Sequence, residues 1–230
     1  MEIENIKSWD PVWEKVFSQN PWGKYPGESL IRFVARNFYK LNRPDVKILE
    51  VGCGPGANIW YLAKEHFDAC GIDGSETAIK QAKERMVEEG LNAKFTVGDI
   101  IHLPYQDNFF DAVIDVECLC CNNLVNSTKI YAEINSVLKP RGKFYSRTFS
   151  DKLFIGKNYK RAGENEYTDI TEGPLAGKGF VRLTPKNLIV KTYGNHFNII
   201  SVDELDWTQD NGNIMVSEWV IIAEKKQTGV

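Results

Sequence analysis

Three glycines at alternate positions, Gly52, Gly54 and Gly56, follow Leu49-Glu50-Val51 and form the segment of this chain best suited to holding a ligand. Apolar residues around an acid, breaking into glycines, read as a buried strand that ends in a tight turn. Glycine tolerates positive φ and lets a ligand lie against the backbone where a Cβ would collide. A helix starting near Ala57 points its free N–H groups at the same place. A second piece of chemistry is Asp73, at the end of the stretch Phe67-Asp68-Ala69-Cys70-Gly71-Ile72. Its two acceptor oxygens suit the paired hydroxyls of a ribose. A third lies just beyond another apolar run, in Asp115-Val116-Glu117-Cys118-Leu119-Cys120-Cys121-Asn122. There Glu117 would take a proton from an acceptor or bind its amine, and Asn122 would orient it. These two are the candidate catalytic residues.

The elements that must position these groups alternate along the chain. Strands are expected at 46–51, 67–72, 93–97, 109–117 and 143–149, with helices near 57–65, 76–89 and 126–138. Ser75 is an N-cap for the second of these helices and Gly90 its stop. Such alternation implies parallel strands with helices on both faces, and places a ligand outside the carboxyl ends of the strands. Two helices, 9–18 and 28–40, precede the first strand. Thr184-Pro185-Lys186 reads as an N-cap with proline at the first helical position. Two further strands, 197–206 and 214–224, are joined through Gln209-Asp210-Asn211-Gly212-Asn213, a hairpin turn.

With Glu50 in place, the glycine run resembles motif I of the class I S-adenosylmethionine-dependent methyltransferases. Its spacing, G-x-G-x-G, is not the G-x-G-x-x-G of dinucleotide folds, and no Lys-Ser/Thr pair follows as in a P-loop. Gly98-Asp99-Ile100, Phe109-Phe110-Asp111-Ala112-Val113-Ile114-Asp115 and Leu138-Lys139-Pro140-Arg141-Gly142-Lys143-Phe144 match the family's later strands and turns, so the likeness covers roughly residues 45–150. It implies an α/β fold: one Rossmann-like doubly wound sheet, mostly parallel, with an antiparallel C-terminal hairpin strand and N-terminal lid helices. It implies S-adenosylmethionine as cofactor, S-adenosylhomocysteine as product, and no metal. Gly52, Gly54 and Gly56 would approach the methionyl and ribose portions, and Glu50 the amino group. Asp73, with Gly74 beside it, would hold the ribose hydroxyls. Asp99 and Ile100 would frame the adenine, Asp115 would close the fourth strand at the site, and Trp22 would reach the cofactor from the lid. No N-P-P-Y type motif follows Asp115, which weighs against methylation of DNA bases or protein glutamine. The likeness is to the small-molecule, type 11/25-like branch.

The gross numbers agree with that reading. A chain of 230 residues is expected to form a single domain: a helical cap over 1–44, a cofactor-binding core over 45–150, a substrate flap over 151–183, and a C-terminal helix and hairpin over 184–230. Net charge −3 argues against a dedicated nucleic-acid binder. The N-terminus has no secretion-signal pattern and no apolar run is long enough for a membrane helix. Five cysteines in such a chain are expected as reduced thiols in a cytoplasm. Cys118, Cys120 and Cys121 raise the idea of a soft-ligand site, but three thiols within four residues cannot readily surround an ion, and buried packing is the alternative.

Substrate choice falls to the two segments outside the core. One holds Trp9, Trp13, Trp22 and Tyr25, either as a lid or as packing. The other, Ser150 to Leu183, is too long for an ordinary connection. It carries Lys152, Lys157, Lys160, Arg161 and Lys178 between Arg147 and Arg182. Such a flap suits an anionic small molecule, a solvated charged loop being the alternative. The activity expected is methyl transfer to an O or N atom of a small polar metabolite or polysaccharide precursor. RNA or protein methylation, and a non-catalytic cofactor-binding subunit, stay open beside it.

Overall fold

A computed structural model describes residues 7–226. The strands in chain order are β1 (Lys47–Val51), β2 (Asp68–Asp73), β3 (Lys94–Val97), β4 (Phe110–Val116), β5 (Leu138–Phe149), β6 (Lys160–Gly163), β7 (Glu166–Thr168), β8 (Val181–Arg182), β9 (Phe197–Gln209) and β10 (Ile214–Lys225). The helices are α1 (Val12–Gln19), α2 (Glu28–Phe38), α3 (Ala57–Lys64), α4 (Glu76–Glu88), α5 (Leu124–Val137) and α6 (Lys186–Tyr193). Seven strands form the main sheet in the order β3-β2-β1-β4-β5-β10-β9. Strands β1 to β5 pair in parallel, and β10 runs antiparallel to both of its neighbours. The mostly parallel, doubly wound sheet with its antiparallel hairpin strand is as the sequence implies.

Alternate residues of each strand serve opposite faces. Ile48, Ala112, Ile114, Tyr145 and Val220 pack with Leu30, Phe33 and Val34 of α2 and Ile59 and Leu62 of α3. Leu49, Val51, Val113, Phe144 and Ile221 pack with Ile130, Tyr131 and Ile134 of α5 and Tyr193 of α6. Burying each such large apolar side chain contributes on the order of 1.5–3 kcal/mol, so neither face tolerates a register slip. The register puts Val51 beside Ile72 on one side and Asp115 on the other. The chain therefore leaves β1 at the point where strand order reverses, the place where open α/β sheets bind ligands.

Several boundaries differ from the sequence expectation. Ser75 caps α4 as expected, its Oγ accepting from Ala78 N–H at 3.0 Å, and Gly90 ends that helix region with φ +64°. By contrast, Pro185 is itself the N-cap of α6, which starts at Lys186, because Thr184 is held in a bridge to Ser150. Strand β5 begins at Leu138, before the expected position, with Arg141 in the left-handed region and a register shift against β4. The segment after β5 is not a solvated loop. Strands β6, β7 and β8 form a small antiparallel sheet, and Leu153, Ile170, Leu175, Val181 and Leu183 bury against Cys120, Phe149 and Val216. Buried Arg182 ties it to the loop after β4, donating to the Asn122 carbonyl at 2.7 Å and Ser127 Oγ at 2.6 Å. Helix α1 lies outside the sheet on α4, where its Glu14 accepts from Ser75 Oγ at 2.6 Å and from Thr77. The residues expected in the cap and C-terminal segment at 1–6 and 227–230 lie outside the described ones.

Candidate cofactor and active site

A cavity of about 250 Å³ opens at the carboxyl ends of β1 and β4, roofed on one side by the α1 segment and on the other by the flap. The two roofs meet: Lys178 Nζ stands 5.3 Å from the Trp22 ring centroid, and a Cβ on Gly179 would touch Asp10 and Val12. Trp13 and Phe17 of α1 cluster with Trp22, whose ring meets each of them edge to face, with Phe17 and Trp22 centroids 5.1 Å apart. Trp22 therefore lines the cavity as part of a packed aromatic group.

Each glycine of the loop answers a different constraint. Gly52, at φ +66°, lies against the loop after β4: an added Cβ would fall 2.1 Å from Cys118 Sγ. Gly54, at φ +50°, faces the Phe17 ring, and its N–H donates to Asp73 Oδ2 at 2.8 Å. Gly56 is turned away from the cavity: at φ +80° it caps α3 and packs on Ala82 of α4 and Phe95 of β3. Its requirement is close helix–strand packing, not approach to a ligand.

Glu50 is 2% exposed and lines the cavity. Its Oε1 accepts from Asn58 Nδ2 at 2.5 Å, while Oε2 is buried with no partner. Burial pushes its carboxyl up to about 8, helped by the nearby carboxylates of Asp73 and Asp115. Asp73 also lines the cavity, with one oxygen on Gly54 N–H and the other on Ser75 N–H at 2.8 Å. Burial raises its pKa as well. Two carboxyl groups held so far from water form a site short of positive charge.

Two expected cofactor residues are placed otherwise. Asp99 does not line the cavity: Ser8 N–H, Ser8 Oγ, Trp9 N–H and Ile101 N–H all donate to its carboxylate. Its neighbour Ile100 does line it. Asp115 is fully buried beneath the site, accepting from Cys118 and Leu119 N–H at 3.0 Å and from Ser146 Oγ at 2.6 Å. It folds the loop that presents Glu117 and Asn122. The signal that could have warned of this is its place inside strand β4, whose inward residues pack rather than bind.

Glu117 and Asn122 both reach the cavity wall. Glu117 sits at φ +58° and pairs with Arg147 at 2.9 Å. Arg147 also binds buried Glu218 through two contacts, Nε at 2.5 Å and Nη2 at 2.9 Å. The bland alternative for Glu117, an arginine partner, thus holds together with a position on the cavity. Sequence reasoning did not find Asn58, Glu218 or the role of Trp9, because no spacing rule links them to the motifs. Among the described residues no group of three or more His, Cys, Asp and Glu side chains is arranged to hold a metal ion. Burial raises the Cys53, Cys118 and Cys120 thiols well above the usual value.

Residues 42–213 match the model of the methyltransferase domain family. The chain belongs to that family. It is similar to the sterol 24-C-methyltransferase erg-4 of Neurospora crassa, 36% identical over a 131-residue alignment that covers 52% of this chain and 33% of that protein. The chain thus spans about a third of the length of the first curated relatives it matches. Among solved structures, its fold is shared with a SAM-dependent methyltransferase from Methanosarcina mazei, at 22% identity, TM-score 0.70, and coverage of 87% of this chain and 98% of that one. It is also shared with the 1,6-didemethyltoxoflavin-N1-methyltransferase of Burkholderia thailandensis, solved with bound 1,6-didemethyltoxoflavin and S-adenosylhomocysteine, at 17% identity, TM-score 0.63, and coverage of 87% and 79%. The chain's residues fit the family's cofactor: unpartnered Glu50 Oε2 suits the α-ammonium of a methionyl group, and Asp73 lies one loop away for the ribose.

Proposed function

We propose that this protein transfers a methyl group from S-adenosylmethionine to an oxygen or nitrogen atom of a small polar molecule. The observation that carries the reading is the pairing of Glu50, with its buried unpartnered oxygen, and Asp73 around one glycine loop at the strand-order switch. When bound, the cofactor supplies a methyl group already attached to a good leaving group, the sulfonium.

The chain's own residues would then bind and orient. Glu50, ionised by an incoming ammonium, would accept its hydrogen bonds, with Asn58 holding the carboxylate's other oxygen. Asp73 would accept from the ribose hydroxyls while its backbone partners keep it in place. The α1 lid and the flap would exclude water, and alignment in a closed site is the main catalytic contribution for this chemistry. Glu117 would accept a proton or hydrogen bond from the acceptor, with Arg147 fixing its position and Asn122 beside it.

The flap gives the acceptor's charge only a narrow range. Lys152 pairs with Glu204 at 2.6 Å, Lys160 pairs with Asp169 at 2.8 Å, and Arg182 is buried on a carbonyl and a hydroxyl. Among the described residues Lys178 is the flap cation that lines the cavity, so an anionic substituent would bind there, near Trp22.

S-Adenosylmethionine labelled in its methyl group, incubated with the protein and a size-fractionated cell extract, tests the reading. Label in the small-molecule fraction is expected, and mass spectrometry of that peak names the acceptor. Label in RNA or protein overturns the substrate class. No binding of S-adenosylhomocysteine by calorimetry would overturn the cofactor as well.

A further inference from the structure

We infer that Trp9 supplies one wall of the pocket for the cofactor's adenine base, and that Asp99 serves this pocket only by pinning the segment that carries Trp9. The inference rests on the S-adenosylmethionine reading above and adds a residue from outside the sheet to it.

Asp73 ends β2 and Gly74 follows it, and the register sets Asp73 beside Val97, so Gly74 and Gly98 leave neighbouring strands together. A base joined to a ribose held by Asp73 must lie within a few ångströms of Gly74, since a single glycosidic bond links the two rings. That space is not bounded by a side chain at position 74. It is bounded by an indole: a Cβ built on Gly74 would stand 1.9 Å from Trp9 Cδ1. Trp9, Gly74, Gly98 and Ile100 all line the cavity. The flat apolar faces there are thus the indole, two bare backbone segments and one branched aliphatic side chain, a set suited to a planar heterocycle.

The indole is held from behind. Ser8 N–H donates to Asp99 Oδ2 at 2.7 Å and Trp9 N–H to the same oxygen at 3.3 Å, while Ser8 Oγ and Ile101 N–H, the latter at 3.1 Å, bind Oδ1. Both oxygens of Asp99 are thereby engaged by protein donors, and Asp99 is absent from the cavity wall. Farther along, Glu14 anchors α1 to Ser75 and Thr77 at the start of α4. Trp9 Nε1 is buried with no partner in the protein. A buried indole N–H normally finds an acceptor, and a bound nucleoside carries several. Asp99 is therefore a positioning residue for Trp9.

Calorimetry of S-adenosylhomocysteine binding to the full chain separates the possibilities, with melting curves to confirm folding. Trp9→Ala should weaken binding roughly ten-fold, the loss of one base–aromatic stack, and Trp9→Phe should restore part of it. Asp99→Asn should weaken binding to a similar degree, yet the Trp9→Ala/Asp99→Asn double variant should be no weaker than Trp9→Ala alone. Gly74→Ala, whose methyl group displaces the indole, should reproduce the loss without altering either residue. Ligand-induced quenching of tryptophan emission should fall in Trp9→Phe. Additive losses at Trp9 and Asp99 would mean that Asp99 touches the base directly, and would overturn the inference. Unchanged or tighter binding by Trp9→Ala would also overturn it, the latter showing that the indole occupies the base's place. Failure of the unmodified protein to bind at all would instead remove the cofactor reading beneath it.

Discussion

Glu117 and Glu218 share one guanidinium: Arg147 lies 2.9 Å from the first, on the cavity, and 2.5 Å from the second, inside the sheet. Glu218 is 1% exposed; burial and the Glu117 charge push its pKa up, and Arg147 opposes both by holding the carboxylate ionised. One cation between two acids links the floor of the site to β10. Removing it by Arg147→Ala leaves a buried acid without its partner, a change that costs on the order of 3–5 kcal/mol. Glu218→Gln keeps a hydrogen-bonding group of the same shape and should cost much less. Urea denaturation of both variants at neutral pH checks this. Equal losses would show that the stability comes from the Glu218 charge itself rather than from the cost of leaving an acid without its partner.

Asp73→Ala should raise the S-adenosylhomocysteine dissociation constant by at least two orders of magnitude. Two hydrogen bonds to a carboxylate are lost, each contributing roughly 1.5–3 kcal/mol. Asp73 also accepts from Gly54 and Ser75 N–H, so the variant loosens the loop itself. Calorimetry beside a melting curve separates the two effects, because a pure loop defect lowers the melting temperature without such a large loss of affinity. Unchanged affinity would sink the assignment of the ribose site.

How far the sequence could be read depended on whether an element's role is local. The strand Leu49-Glu50-Val51 and its glycine turn were legible because apolar patterning and positive φ are written in single residues, and Ser75 was legible as a cap for the same reason. The mostly parallel sheet with helices on both faces followed from alternation of elements. The protein partners of Asp99 and Asp115 were not legible, since their carboxylates accept from Ser8, Trp9 and Ser146, which come from distant parts of the chain. Gly56 shows the same limit at a single atom, where only the positions of Ala82 and Phe95 reveal which way its missing side chain faces. The flap read as a charged loop because its apolar residues, such as Leu153, Ile170 and Leu175, are too widely spaced to show a period, and meet only once β6, β7 and β8 have paired.

Arg182 should govern the flap's order. It is 6% exposed and reaches the Asn122 carbonyl and Ser127 Oγ, so Arg182→Met keeps the bulk and loses both charged hydrogen bonds. A loss of roughly 1.5–3 kcal/mol is expected if it stays local to the flap. Limited trypsin digestion should then cut faster at Lys157, Lys160 or Arg161 while the melting temperature of the sheet changes little. Cleavage no faster than in the unmodified protein would mean that the apolar cluster alone fixes the flap.

Glu50 carries the sharpest pH signature. Its folded-state pKa is raised to about 8 from an ordinary 4.5, so between these values the folded protein keeps a proton that the unfolded chain has released. Stability contributed by the neutral acid is complete below the unfolded pKa and is lost as pH rises toward the folded one. Glu50→Gln, which is neutral at every pH and retains an acceptor for Asn58, should melt with the unmodified protein near pH 4 and progressively above it toward pH 8. Ligand binding reverses the advantage. A bound α-ammonium lowers the Glu50 pKa, so S-adenosylhomocysteine binding near pH 7 should release about one proton, the protonation expected of an acid with a pKa of about 8. Titrations in buffers of different ionisation enthalpy count that proton. The count should fall to near zero in Glu50→Gln, along with most of the affinity. An unaltered proton count in the variant would assign the ionisation to another group, Asp73 being the next acid on the cavity, and would remove Glu50 from the ammonium site.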